Sequence, residues 1–268
     1  MAEAGPTSGL MAGKRALILG VANDHSIAWG IAKVLHAAGA ELAFTYQGEG
    51  FGRRVEPLAR SLGAEIVLPA DVQDPASLDA LFAEVGRVWG GLDVLVHAIA
   101  YSDKAELDGR FLDTSRENFL RSLDISCYSL VDLTRRAAPL MTQGGSIITL
   151  TYIGAQRVTP NYNVMGVAKA ALESAVRYLA SDLGPQGVRV NAISPGPMRT
   201  LAGAAIAGAR KVYRATEMNA PLRANASLEA VGGAALYLAS DLSISTTGEI
   251  IFVDGGYHVT GMAQPENL

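Results

Sequence analysis

The sequence predicts an α/β fold: one Rossmann-like domain with a doubly wound, parallel, seven-stranded sheet, helices on both faces and a small helical lid. Three observations predict it. Short β-branched or apolar runs alternate with helix-period segments along the chain. The first such run passes through a glycine turn straight into a helix start. Finally, 268 residues with 49% apolar and 18% charged content can bury one large core in a single domain.

Taken in order, the expected strands are RALIL from Arg15, ELAFTY from Glu41, EIVLP from Glu65, VLVHAI from Val94, SIITLT from Ser146, RVNAIS from Arg189 and EIIFVD from Glu249. The segments between them carry helical stripes such as Leu78, Leu81, Phe82, Val85 and Val88, which suits a parallel sheet covered on both sides. Residues 1–12 are read as a disordered tail and 13–268 as the domain. Thr200 to Ser227, rich in Ala and Gly and without a strand signal, reads as a helical insertion or lid.

Composition narrows the function. Net charge is -4 with no run of five like charges, so a phosphate-backbone partner lacks its electrostatic footprint. Cys127 is the only cysteine, which rules out a disulfide framework or a thiolate metal site and fits a reducing cytoplasm; no metal is expected. No targeting segment and no run of about 18 apolar residues is present, so neither membrane nor nucleic acid is an expected partner.

The first strand runs into GVANDHSIAWGIAKVL, where Gly20 ends the strand, Ser26 can cap a helix and Ile27, Ile31 and Leu35 form its apolar stripe. Exposed N–H groups and the positive helix end would bind a pyrophosphate, with Gly20 admitting the backbone and Gly30 letting the helix pack on the sheet. The spacing departs from G-x-G-x-x-G, so a structural turn without a ligand is the alternative.

The second strand ends in Tyr46-Gln47-Gly48, where a dinucleotide site meets the adenosine ribose. Gln47 can hydrogen-bond a ribose hydroxyl, and the nearest cations, Arg53 and Arg54, lie about two helical turns on. This favours NADH over NADPH, with an ordinary surface amide as the alternative. Asp71-Val72 could bracket an adenine, with an aspartate that simply opens a turn as the alternative, and Ala98-Ile99-Ala100 are small enough for a cofactor crossing the strand ends or for plain sheet packing.

Tyr162 and Lys169 in NYNVMGVAK stand seven residues apart at the start of a long helical pattern. Seven residues turn through about 700 degrees, so both fall within about 20 degrees of one face and about 10 Å apart along the axis. Side chains lean toward the helix N-terminus, sending the lysine back toward the tyrosine. A nearby ammonium would stabilise the phenolate and make the tyrosine a better acid or hydrogen-bond donor. The alternative is a lysine that snorkels from a helix buried through Met165, Ala168, Leu172, Ala175, Val176, Leu179 and Leu183. Tyr152, ten positions before Tyr162 and at the end of the preceding strand, would share the carboxyl end of the sheet, where open α/β folds bind ligands.

GVANDHSIAWGIA, LAFTYQ, TYIGAQRVTPNYNVMGVAKA, GVRVNAISPGPMRTLA and SDLSISTTGEIIFVDGG together resemble the short-chain dehydrogenase/reductase superfamily, and more closely its bacterial NADH-dependent enoyl-acyl-carrier-protein reductases. Ordinary superfamily members have three residues between tyrosine and lysine and the enoyl reductases six; Asn163 through Ala168 is six.

The resemblance implies Tyr162 as the catalytic tyrosine, Lys169 as the residue gripping the nicotinamide ribose and Tyr152 as a second active-site tyrosine. It implies cofactor contacts from Gly20, Ser26, Ile27, Gln47, Asp71, Val72, Ile99, Met198, Arg199, Thr200, Leu201 and Ala202, and substrate contacts from Ser102, Ile206 and both tyrosines. An acyl carrier protein as partner and a homotetramer follow from the same source.

Two departures stand out. The insertion LAGAAIAGARKVYRA keeps Arg210 and Lys211, which could meet an acidic carrier, but has Ala207 and Ala209 where a lysine and a phenylalanine are usual. Thr151 replaces a usual serine. A ketoreductase of the same superfamily would need the shorter spacing and a serine about 13 residues before the tyrosine, where Thr149 stands; a sensor that has lost catalysis would lack Tyr162 or Lys169.

Overall fold

The computed structural model describes residues 7–204 and 206–267. All seven strands join one parallel sheet in the order β3-β2-β1-β4-β5-β6-β7. They are β1 (Arg15–Leu19), β2 (Glu41–Tyr46), β3 (Ile66–Pro69), β4 (Val94–His97), β5 (Gly145–Leu150), β6 (Val188–Pro195) and β7 (Ile250–Val253). The chain winds outward from β1 to β3, crosses back to β4 and proceeds to β7. The reversal opens a crevice at the carboxyl ends of β1 and β4.

Ten α-helices connect the strands among the described residues: α1 (Ile27–Ala37), α2 (Gly48–Ser61), α3 (Pro75–Trp89), α4 (Lys104–Leu107), α5 (Arg116–Leu123), α6 (Ser129–Ala137), α7 (Asn163–Leu183), α8 (Leu201–Ala204), α9 (Ala209–Asn219) and α10 (Leu228–Ala239). A wider π turn, Asp124–Tyr128, joins α5 to α6. Successive strand residues feed opposite faces, as period-two geometry demands. Ala16 and Ile18 pack with α1, α2 and α10, whereas Leu17 and Leu19 pack with α3, α6 and α7.

Glycine permits the closest approach between the layers. A Cβ on Gly30 would meet the Leu228 side chain at 2.8 Å, and one on Gly232 would meet Val34 at 2.5 Å. Gly30 therefore serves the crossing of α1 with α10, not the packing of α1 on the sheet expected from the sequence. Val88, placed by periodicity on the buried stripe of α3, is 39% exposed, because the helix reaches its left-handed cap at Gly90 as it leaves the core.

The expected tail is shorter than twelve residues. Residues 7–13 fold back as a turn, the Met11 N–H donates to the Ala38 carbonyl at 2.9 Å, and the Met11 side chain is fully buried against the α1 layer. Residues 1–6 of that expectation lie outside the described residues. The physical reason is a gap beneath the end of α1 that an unbranched apolar side chain fills. The sequence shows this only as one methionine in a polar stretch.

Candidate active site

At the carboxyl edge, Gly20 leaves β1 with φ of 99°, and a Cβ there would overlap the carbonyl oxygen of Ala98, the residue after β4. Only glycine lets the two strand ends approach so closely. Ser26 takes the N-cap position of α1, but its hydroxyl turns back, accepting from Ala22 N at 2.9 Å and Asn23 N at 3.0 Å. The side chain thus shapes the turn and does not cap the helix, so the first-turn N–H groups keep their positive end open to an anion. This arrangement fits a pyrophosphate.

Gln47 lies at the end of β2 and donates its amide to Asp71 at 3.0 Å, so these two predicted residues come together. Val72 and Ile99 are half-buried against the α3–α6–α7 layer. The sheet register brings the ends of β1, β4 and β5 side by side, pairing Leu19 with His97 and His97 with Thr149.

Beside this edge lies a cavity of about 1580 Å³. Of the predicted residues, Ile27, Ser102, Tyr152, Tyr162, Met198, Arg199, Thr200, Ala202 and Ile206 line it. Leu201 does not; it is 50% exposed. The inner wall is apolar, with Leu107, Tyr162 and Met165 packed against Tyr152 and Ile206. The rim carries a cationic excess: Lys104, Arg199, Arg210, Lys211 and Arg214 are all exposed at it, beside the acids Asp103 and Glu217.

Tyr162 immediately precedes α7, between Asn161 and Asn163, both of which have positive φ. Asparagine tolerates that region better than most residues. Asn161 donates to the Ala207 carbonyl at 2.8 Å and Asn163 to the Leu107 carbonyl at 3.1 Å, which explains how the strained turn is held. The Tyr152 and Tyr162 rings meet edge to face, centroids 5.0 Å apart. Burial pushes the Tyr152 hydroxyl up to about 12, with Tyr257 and Asp254 adding to the effect. Burial drives Tyr162 further in the same direction, helped by Tyr152 and Glu173.

Lys169 is 5% exposed and donates to the Leu150 carbonyl at 2.8 Å. The snorkelling alternative is therefore excluded. Lys169 is not among the groups that shift Tyr162; burial dominates and holds its hydroxyl well above the usual tyrosine range. Burial likewise lowers Lys169 to about 8, opposed by Cys127 and Glu173.

Several polar residues escaped sequence reading. His97 is fully buried, with Nδ1 2.8 Å from the Thr149 hydroxyl and Nε2 2.8 Å from the Ser129 hydroxyl. Asn118, Ser122 and Ser126 stand one turn apart along α5 and the π turn and hold the cavity wall. Asn118 accepts from Asp103 N at 2.9 Å, Ser122 donates to the Ser102 hydroxyl at 3.0 Å, and Ser126 accepts from Tyr101 N at 2.9 Å. Their spacing of four was legible; the loop they face was not. Arg199 lies over the Tyr213 ring at 4.7 Å, tying the loop after β6 to α9.

Among the described residues no group of three or more potential metal ligands occurs and no helix is long and apolar enough to cross a membrane.

A family model described as enoyl-(acyl carrier protein) reductase matches residues 20–258. Enoyl-[acyl-carrier-protein] reductase [NADH] 2 of Rhizobium meliloti is 58% identical over 97% of this chain and 97% of its own. A crystal structure of the reductase of Anaplasma phagocytophilum in complex with NAD has a TM-score of 0.93 at 56% identity, covering 96% of this chain and 98% of that one. The Bacillus cereus reductase, solved with NADP+ and an indole naphthyridinone, has a TM-score of 0.92 at 49% identity over 94% and 99% of the two chains. With the glycine turn, the two tyrosines and the buried lysine in place, the chain belongs to the enoyl-(acyl carrier protein) reductase family.

Proposed function

We propose that the protein uses NADH to reduce the trans-2 double bond of enoyl thioesters carried on acyl carrier protein, the last reductive step of the fatty acid elongation cycle. One observation carries this reading. Tyr162 stands protonated and paired with Tyr152 in a large apolar cavity, while the lysine seven residues on is buried at the sheet edge.

The site's own residues fit the cofactor: an uncapped α1 start for the pyrophosphate, Gln47 for the adenosine ribose, Asp71 and Val72 for the adenine, and Lys169 for the nicotinamide ribose. When bound, NADH would supply the hydride for the β-carbon of the enoyl thioester, and the resulting enolate would take its α-carbon proton from solvent. The Tyr162 hydroxyl donates a hydrogen bond to the thioester oxygen, where negative charge develops. Its raised pKa suits that role better than release of a proton. Lys169, anchored on Leu150, positions and does not exchange protons with Tyr162. The apolar wall of Leu107, Met165 and Ile206 excludes water and accommodates an acyl chain.

The cationic rim suits an acidic carrier protein, and Arg210 and Lys211 remain there despite Ala207 and Ala209. Exposed Leu120, Tyr128 and Tyr178 on the α5–α7 side support assembly into a homotetramer. A cytoplasmic location follows from this pathway. The ketoreductase alternative loses ground because Thr149 is fully buried and bonded to His97, away from the cavity.

The test follows NADH and NADPH absorbance with trans-2-enoyl thioesters of several chain lengths, on coenzyme A and on carrier protein, beside a β-ketoacyl thioester. NADH oxidation with the enoyl thioesters is expected. Oxidation only with the ketone would overturn the reading.

A further inference from the structure

Among the buried ionisable side chains that the proposed chemistry does not use, Glu173 stands nearest in sequence to Lys169. Glu173 lies on α7 one helical turn past Lys169 and is 5% exposed. Its two carboxylate oxygens accept from the Thr151 hydroxyl at 2.8 Å and the Gln156 amide at 3.0 Å. Acceptance on both oxygens is the pattern of an ionised carboxylate. Thr151 and Gln156 flank Tyr152 and the turn that follows it, so the same carboxylate braces the second tyrosine. A hydroxyl is what position 151 needs, which accounts for threonine standing there in place of serine.

Lys169 and Glu173 are opposite charges, both almost wholly buried and each held directly only by neutral dipoles. A buried charge without compensation is costly. Residues four apart on a helix are neighbours, roughly 5–6 Å between Cβ atoms, so the two charges act on each other through space across one helical turn, without a direct hydrogen bond.

The remaining groups around the lysine are neutral at neutral pH. Cys127, from the π turn, would oppose the lowering of Lys169 only as a thiolate, and burial raises it so that it stays a thiol at neutral pH. His97, from β4, is lowered to about 3 by burial and by the lysine itself, and is an uncharged imidazole. Tyr152 and Tyr162 are both raised and remain phenols.

We propose that Glu173 is a positioning residue for cofactor binding: the buried counter-charge that keeps Lys169 an ammonium, able to hold ribose hydroxyls, and Tyr162 a phenol. The inference rests on the reading of Lys169 as the residue that grips the nicotinamide ribose.

Two readouts separate the inference from that reading. Turnover of trans-2-enoyl thioesters by the unmodified protein tests the reading. NADH affinity of the full chain, titrated between pH 6 and 9, tests the inference. In the unmodified protein affinity is expected to fall as pH rises through about 8, the value to which burial lowers Lys169. In Glu173→Gln the midpoint moves about one pH unit lower and the Kd for NADH at pH 8 rises about fivefold, converging with the unmodified protein near pH 6. An unmoved midpoint would overturn the inference.

A second comparison needs neither activity nor a folded single Gln variant. In Lys169→Met the carboxylate loses its partner, so Lys169→Met with Glu173→Gln is expected to melt above Lys169→Met alone. A lower melting temperature in the double variant would mean that Glu173 serves packing only, and would overturn the proposal.

Discussion

Lys169 gives its buried ammonium to the Leu150 carbonyl at 2.8 Å, not to the Tyr162 hydroxyl on the same helix face. The bond pins α7 to the end of β5 beneath the crevice. Removing the ammonium should therefore affect the cofactor first. Lys169→Ala is expected to weaken NADH binding by about 10- to 100-fold, roughly 1.4–2.8 kcal/mol, with a smaller fall in kcat at saturating NADH. Fluorescence titration of NADH beside steady-state turnover checks this. A kcat loss with unchanged Kd would reassign the lysine to chemistry.

Tyr162→Phe should give the opposite split. Loss of one donor to a developing oxyanion costs about 100-fold or more in kcat, roughly 2.7 kcal/mol, whereas the NADH Kd should stay within about twofold because no cofactor contact is removed. The raised pKa adds a second expectation: kcat of the unmodified protein shows no tyrosine ionisation up to pH 9. A kcat profile that bends near pH 8 and straightens in Tyr162→Phe would contradict it.

Gly154 places a constraint on the same tyrosine. An added Cβ would run into the edge of the Tyr162 ring, with Tyr152 Cδ1 at 3.3 Å on the other side. No positive φ is involved here, so backbone strain is absent and the effect falls on the ring. Gly154→Ala is expected to lower kcat by about 10-fold or more, since small displacements of a catalytic group are costly. Its melting temperature should fall by only a few degrees, about 1 kcal/mol in a domain of this size. Equal activity in Gly154→Ala would show that the ring has room to move.

How much of this was legible follows from distance along the chain. The strands were readable because a sheet covered on both faces selects continuous apolar runs, and the tyrosine–lysine pair because seven residues on a helix fix a shared face. His97 and Thr149 are 52 residues apart, and they touch only because β4 and β5 are neighbours in register. Glu173 and Thr151 are 22 apart, joined by the return of α7 onto β5. The sequence marks Ser26 as an N-cap but does not show which way its hydroxyl turns, and in the fold it accepts from Ala22 N and does not cap α1. Lys169 was expected to act on Tyr162; burial, which depends on the whole fold, decided otherwise.

His97 ties the stability of the fold to pH. Its ring is fully buried between Thr149 and Ser129, and burial, with Lys169 nearby, lowers its pKa to about 3 against an unfolded value of about 6.5. The folded state therefore binds fewer protons than the unfolded state between those values, and stability rises with pH across that window. Full stability is present above about pH 6.5 and is lost as pH falls. At pH 4.5 the loss reaches about 2–3 kcal/mol from this residue alone. His97→Gln keeps hydrogen-bonding atoms without a titrating ring, so its urea midpoint should fall less between pH 7 and pH 4.5 than that of the unmodified protein. At pH 7 it should be the less stable of the two by about 1–2 kcal/mol, because an amide cannot reach both hydroxyls with the spacing of an imidazole. Parallel acid limbs in the two proteins would mean that the imidazole accepts its proton without loss of fold.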